Sequence, residues 1–160
     1  MKKNNYFSPV GGLPQQSKLL TDRAVFKGSY AVIPRGCFTD IVTSTLPFWK
    51  NMRMWIVARP MTGFAETFSQ YVVQLEANGG SENPESNSDV QSVLFLTSGS
   101  AVLKLNSESH ILKCGSYVYI PAGSEWSIWS NSNEITNFHW IRKVYKLSLI
   151  HISEPTRQIR

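Results

Sequence analysis

The sequence predicts an all-β domain of closed-barrel or jelly-roll type, on three observations. Short runs rich in Val, Ile, Tyr, Trp and Thr recur along the chain, separated by Gly, Pro, Asn and Ser. No stretch shows the apolar period of an amphipathic helix. Several runs alternate with period two: in AVLKL, Val102 and Lys104 face one way, and Ala101, Leu103 and Leu105 the other. Many short strands at this spacing favour closure or sandwiching, which protects strand edges better than an open sheet.

Taken in order, strands are expected at 24–26 and 29–33, interrupted by Lys27-Gly28, and at 39–43. The run MWIVA gives 54–58, stopped by Arg59-Pro60, since proline cannot donate to a ladder. A strand over 67–75 follows, then the polar stretch GGSENPESNSD at 79–89, which reads as a surface loop. Strands at 92–98 and 101–105 flank Gly99, and Asn106-Ser107-Glu108 turns the chain into 109–113. Beyond Gly115 come 117–120, the Pro121-Ala122-Gly123 turn, 125–130 and 134–142.

A chain of 160 residues, 42% hydrophobic and 17% charged, suits one globular domain with a sizeable core. Its net charge of +5 is scattered. Arg142-Lys143 with Lys146 is too small a cluster for a nucleic-acid footprint, so no nucleic-acid partner is expected. The opening MKKNNYFSPVGG lacks the apolar run of a signal peptide, and no segment reaches membrane-spanning length. A cytoplasmic protein without a membrane partner is the expectation. Cys37 and Cys114 lack metal-type spacing and read as reduced, half-buried thiols.

The stretch from Gly80 to Ser130 resembles the paired motifs of the cupins, small jelly-roll barrels. Their second motif runs Gly, five residues, Pro, one, Gly, two, His, three, Asn. Here stand Gly115, SYVYI, Pro121, Ala122, Gly123, Ser124-Glu125 and Trp126, with Ser130 at the Asn place. Proline fixes φ and glycine accepts φ > 0, so the turn aims the next side chain into the barrel mouth. Counting the first motif from Gly80 places Ser86, Ser88 and Ser92 where the family has two His and a Glu. Neutral hydroxyls and an indole are poor ligands for a divalent metal. A neighbour such as Gln91 or Glu125 could cover one loss, not four. These four positions are therefore degenerate, and no metal and no catalytic residue is expected in this barrel. Trp126 is expected to plug it.

A narrower resemblance rests on LLTDRAVFKGSYAVIPRG (19–36), FSQYVVQLEANGG (68–80) and SVLFLTSGSAVLKL (92–105). These segments are similar to the N-terminal half of the (S)-ureidoglycine aminohydrolase family, two-cupin enzymes of purine and allantoin degradation. The resemblance implies a metal-free cupin domain over 19–146, preceded by an extension at 1–18. It further implies that manganese and the catalytic residues lie in a C-terminal cupin, the expected partner of this barrel within a homo-oligomer. The reaction would convert (S)-ureidoglycine and water to ureidoglycolate and ammonia. Substrate-binding residues of this chain stay unassigned. Two alternatives stay open: a stand-alone metal-free cupin binding a small molecule, and a metal-independent cupin isomerase.

Other candidates reduce to packing. His110 reads as solvent-facing and His139 as a hydrogen-bonded core or interface residue. Glu66, Glu76 and Glu125 are isolated carboxylates that the sequence cannot pair as acid and base. Trp49, Trp55, Trp126, Trp129 and Trp140 read as barrel filling and interface rather than pocket lining. An uncovered apolar seam is expected around 138–145. The terminal LSLIHISEPTR resembles a translated sequencing-library adapter. Residues 147–160 are accordingly expected to be non-native, which sets His151 aside and implies that the natural chain ran on beyond Lys146.

Overall fold

In the computed structural model, residues 24–27, 30–33, 45–59 and 67–145 are described. Every element among them is a strand: β1 (Val25–Phe26), β2 (Ala31–Val32), β3 (Lys50–Ala58), β4 (Ser69–Ser81), β5 (Val90–Ser98), β6 (Ser100–Leu105), β7 (Glu108–Lys113), β8 (Tyr117–Ile120), β9 (Trp126–Ser130) and β10 (Thr136–Val144). The all-β reading holds. The strand expected at 39–43, Cys37, Glu66, His151 and the extension and tail lie outside the described residues.

β1 and β2 pair as a small antiparallel sheet. The other eight strands form one curled sheet in the order β7-β6-β9-β4-β10-β5-β8, with β3 also on β4. β4 holds the curl together. Its first half lies between β3 and β10, while Gly80 and Ser81 pair with Trp129 and Ile128 of β9. Asn78, at φ 57, marks the corner where the strand passes from one half to the other. The 79–89 stretch is thus not all surface loop: Gly79–Ser81 continue β4 and are buried, and Pro84 is buried beyond them. A polar composition hid a backbone that fills its hydrogen bonds in the sheet.

The concave face carries one core, including Val73, Leu75, Leu94, Leu96, Leu103, Ile120, Ile128, Phe138 and Trp140. Phe138 and Trp140 belong to that core, so the seam expected around 138–145 is corrected for its first part, while Val144 and Tyr145 at its end are exposed. On an alternating strand only every second residue can face out, and here these are His139 and Ile141. On the convex face one row crosses five strands in register: Tyr117, Phe95, His139, Val72 and Trp55.

Turns follow the sequence signals closely. Asn106 (φ 47) and Ser107 (φ 78) make a two-residue hairpin turn with both central residues left-handed, the form that matches strand twist. Glu108 is already the first residue of β7. Gly99 alone joins β5 to β6, at φ 76, and a Cβ there would stand 2.6 Å from the Thr136 Cα. Gly99→Ala is expected to destabilise the fold by about 2 kcal/mol, from left-handed strain plus a clash with backbone. A urea midpoint within error of wild type would show that β10 yields freely at Thr136.

Candidate functional site at the barrel mouth

The turn predicted from Pro121-Ala-Gly123 closes one side of the barrel mouth. Gly123, at φ 78, donates its N–H to the Ser88 carbonyl over 2.7 Å, which ties the turn to the 82–89 segment. Asn106 clamps the same turn: its N–H donates to the Glu125 carbonyl, and its Oδ1 accepts from the Glu125 N–H. β9 then starts at Trp126, whose indole lies in the core at 7% exposure.

Trp126 joins an aromatic column. It meets Trp140 edge-on at 5.9 Å and 80°. Trp140 also contacts Trp49 at 5.6 Å and Tyr71 at 5.7 Å. Edge and tilted contacts suit the ring quadrupoles, adding to the burial of apolar area. Two indole N–H groups find acceptors: Trp140 donates to the Ser92 Oγ (3.1 Å), and Trp49 donates to the Pro84 carbonyl (3.4 Å).

A charged cap sits on this column. Arg142, from the end of β10, donates from Nε to Glu85 Oε2 (2.6 Å) and from Nη2 to Glu85 Oε1 (2.7 Å). A third donation, from Nη1, reaches the Tyr71 hydroxyl at 3.3 Å. The guanidinium carbon lies 5.1 Å above the Trp140 ring centre, a cation–aromatic contact. Burial acts to lower the Arg142 pKa, but the Glu85 carboxylate and Tyr71 more than offset it and hold the value above its ordinary one. The Glu85 side chain is only 6% exposed.

Beside the cap lies a cavity of about 440 Å³, bordered by Glu82, Glu85, Ser86, Ser88, Glu125 and Trp126 among others. The structure thus brings Ser86, Ser88 and Trp126 to one cavity. Ser92 is instead buried, with its hydroxyl engaged by Trp140. This donor set does not fit manganese. Two neutral hydroxyls are exposed, the third oxygen already accepts a hydrogen bond, and an indole offers no lone pair to a metal. Among the described residues, no three His, Cys, Asp or Glu side chains cluster as a metal site would require.

The remaining candidates scatter. His110 is exposed on β7, with Nε2 3.7 Å from Glu108 Oε2. Glu76 pairs with Arg53 on the surface at 3.3 Å. Gln91 accepts from the Tyr119 hydroxyl at 2.9 Å. Cys114 is exposed rather than half-buried, because it sits in the turn after β7, where its thiol meets the Thr97 carbonyl at 3.2 Å. Trp49, Trp55, Trp126 and Trp140 are buried and Trp129 is partly so. Glu85, Arg142 and Tyr71 were missed by sequence reasoning.

His139 is half-buried on the convex face, with its Nδ1 3.3 Å from Gln70 Nε2. Burial lowers its pKa below 6.5. Between the folded and unfolded values the unfolded chain binds more protons, so stability falls as pH drops below about 6.5. Unfolding midpoints at pH 7.5 and 5.5 are expected to show this loss, and His139→Gln is expected to reduce it. An identical pH dependence in that variant would assign the loss to other groups.

No family model matches the chain. It is 31% identical over 121 residues to (S)-ureidoglycine aminohydrolase of Escherichia coli (strain K12), an alignment covering 74% of this chain and 43% of that protein. Its fold superposes on a putative glyoxylate-induced protein from Pseudomonas aeruginosa with a TM-score of 0.75. The two are 48% identical, over 91% of this chain and 52% of that one. The cupin domain of Schizosaccharomyces pombe Cnp3 shares the fold alone, at 12% identity and a TM-score of 0.54, covering 66% of this chain and 70% of that one. The chain spans about half the length of the first two proteins.

Proposed function

We propose that this chain, a cupin related to (S)-ureidoglycine aminohydrolase, is the non-catalytic N-terminal barrel of a manganese-dependent enzyme of that activity. One observation carries the reading. The sequence aligns with less than half of the aminohydrolase, while the motif resemblance counts Trp126, Ser86, Ser88 and Ser92 onto the ligand places of a cupin metal, a set of poor ligands. In this reading a second barrel holds manganese and releases ammonia from (S)-ureidoglycine. The metal would grip and orient the substrate there while water adds. This barrel supports that one and the oligomer, in the cytoplasm, within purine catabolism.

The convex face supports a partner barrel. Tyr117 is 65% exposed, Tyr119 50% and Phe95 42%, a grouping typical of interaction surfaces. Among the described residues no helix is long and apolar enough to cross a membrane. The second reading, a stand-alone binding module, would place a small molecule inside the barrel. The aromatic column fills that centre, so a ligand would be confined to the mouth.

Ammonia release from (S)-ureidoglycine tests the proposal. The chain with manganese is expected to match the uncatalysed rate, whereas a two-barrel protein containing it is expected to turn over with manganese. Ser86→Ala and Ser88→Ala are expected to leave that turnover unchanged. Stoichiometric, tight manganese uptake by the chain alone would overturn the metal-free assignment. An intact reading frame stopping near Lys146 would favour the binding module.

A further inference from the structure

The geometry points to a site of spontaneous covalent modification at the corner of β4: Asn78-Gly79 deamidates through a cyclic imide and reroutes the backbone as isoaspartate. This is independent of the aminohydrolase reading.

The fold itself calls for this pair of residues. Asn78 lies at φ 57, a left-handed conformation that asparagine accepts more readily than most residues. A Cβ on Gly79 would collide with the Asn51 carbonyl oxygen, so the corner admits no larger residue there. Glycine also leaves its own backbone nitrogen unshielded, because no side chain stands beside it.

The ladder leaves the pair loose. Leu75 stands opposite Met52 and Gly80 opposite Lys50, so Asn51 alone faces residues 76–79. On the other edge, pairing with β10 stops at Leu75 and pairing with β9 starts at Gly80. Extra residues in such a bulge stay out of the ladder. The Asn78 side chain is exposed, and no partner among the described residues holds its amide.

The other described asparagines each lack a requirement. Asn83 precedes a proline, which has no N–H to attack with. Asn87 and Asn106 accept through Oδ1 from the N–H groups of Asp89 and Glu125, and Asn51 donates to the Ala77 carbonyl. Asn137 is buried, with both ends of its amide bonded. Asn131 and Asn133 precede Ser132 and Glu134, whose side chains crowd the attacking nitrogen.

Hydroxide removes the Gly79 amide proton, and that nitrogen adds to the Asn78 Cγ. The Cγ–Nδ2 bond breaks, ammonia leaves and the imide closes. Water then opens one of the two imide carbonyls. Cleavage at Cγ yields an ordinary aspartate, and cleavage of the original peptide bond yields isoaspartate. The latter sends the main chain through Cγ and adds a carbon between the two halves that β4 joins.

Mass spectrometry of digests tests this on the full chain, aged folded at pH 8.5 and pH 6.5 and, in parallel, unfolded in guanidinium chloride. The peptide carrying Asn78 is expected to be the first, among those with described asparagines, to exchange NH for O, and faster at pH 8.5. Its folded rate is expected within about tenfold of the unfolded one, since little opening precedes attack. Isoaspartyl methyltransferase is expected to label that peptide in aged chain only. Asn78→Gly keeps the left-handed corner without the amide and is expected to abolish the label. A folded rate slowed by more than about tenfold would overturn the proposal. So would earlier conversion at another described asparagine, or label persisting in that peptide of Asn78→Gly.

Discussion

Truncating Trp140 to alanine is expected to destabilise the fold by about 4–5 kcal/mol, at the upper end for large-to-small core changes. The residue is 1% exposed and touches Trp49, Tyr71 and Trp126 at once. Rigid rings on three sides cannot collapse into the space, and the cost of a cavity grows with what fails to collapse. The change also strips the Ser92 hydroxyl of its donor and removes the surface under Arg142. Trp126→Ala should cost less, about 3 kcal/mol, because the mouth cavity already admits solvent beside that ring. Urea unfolding with unchanged m-values measures both. Equal losses would mean that the mouth is as tightly closed as the centre.

Removing one member of the Glu85–Arg142 pair comes next in size. Glu85→Ala leaves a guanidinium with 26% side-chain exposure facing an emptied site, an expected cost of about 3 kcal/mol. An exposed pair would lose less than 1 kcal/mol, so the magnitude discriminates between the two cases. Replacing both members, as in Glu85→Leu with Arg142→Met, is expected to recover much of the loss, since no charge is then stranded. A double variant no better than Glu85→Ala would mean that the carboxylate organises its segment, for instance through the Asn87 N–H that donates to it at 3.1 Å.

How far the sequence announced this architecture depends on the range of each signal. Turns are local, and Gly115, the Asn106-Ser107 pair and Pro121-Ala-Gly123 revealed theirs by composition. Strands β5 to β9 were likewise legible within two residues of their ends. The ion pair was not, because Glu85 and Arg142 lie 57 positions apart and Glu85 sits in a polar run. Nothing local distinguishes a carboxylate that will be nearly buried from its solvated neighbours Glu82 and Asp89. The faces of β10 could have been read. Strict alternation over NFHWIR assigns Phe138, Trp140 and Arg142 to one side, and grouping them with Tyr145 ignored that period. The continuation of β4 through Gly79-Gly80-Ser81 was hidden because glycine and serine weaken strand propensity, and pairing with β9 overrides it.

β4 serves both halves of the curled sheet with one unbroken run of backbone. Prying the rim open at Ser81 therefore pulls on the residues that anchor β3 and β10, and neither half has a strand it could surrender alone. Loss of structure should spread across the barrel as a single event, with the Val73 and Leu75 amides among the last to exchange with deuterated solvent.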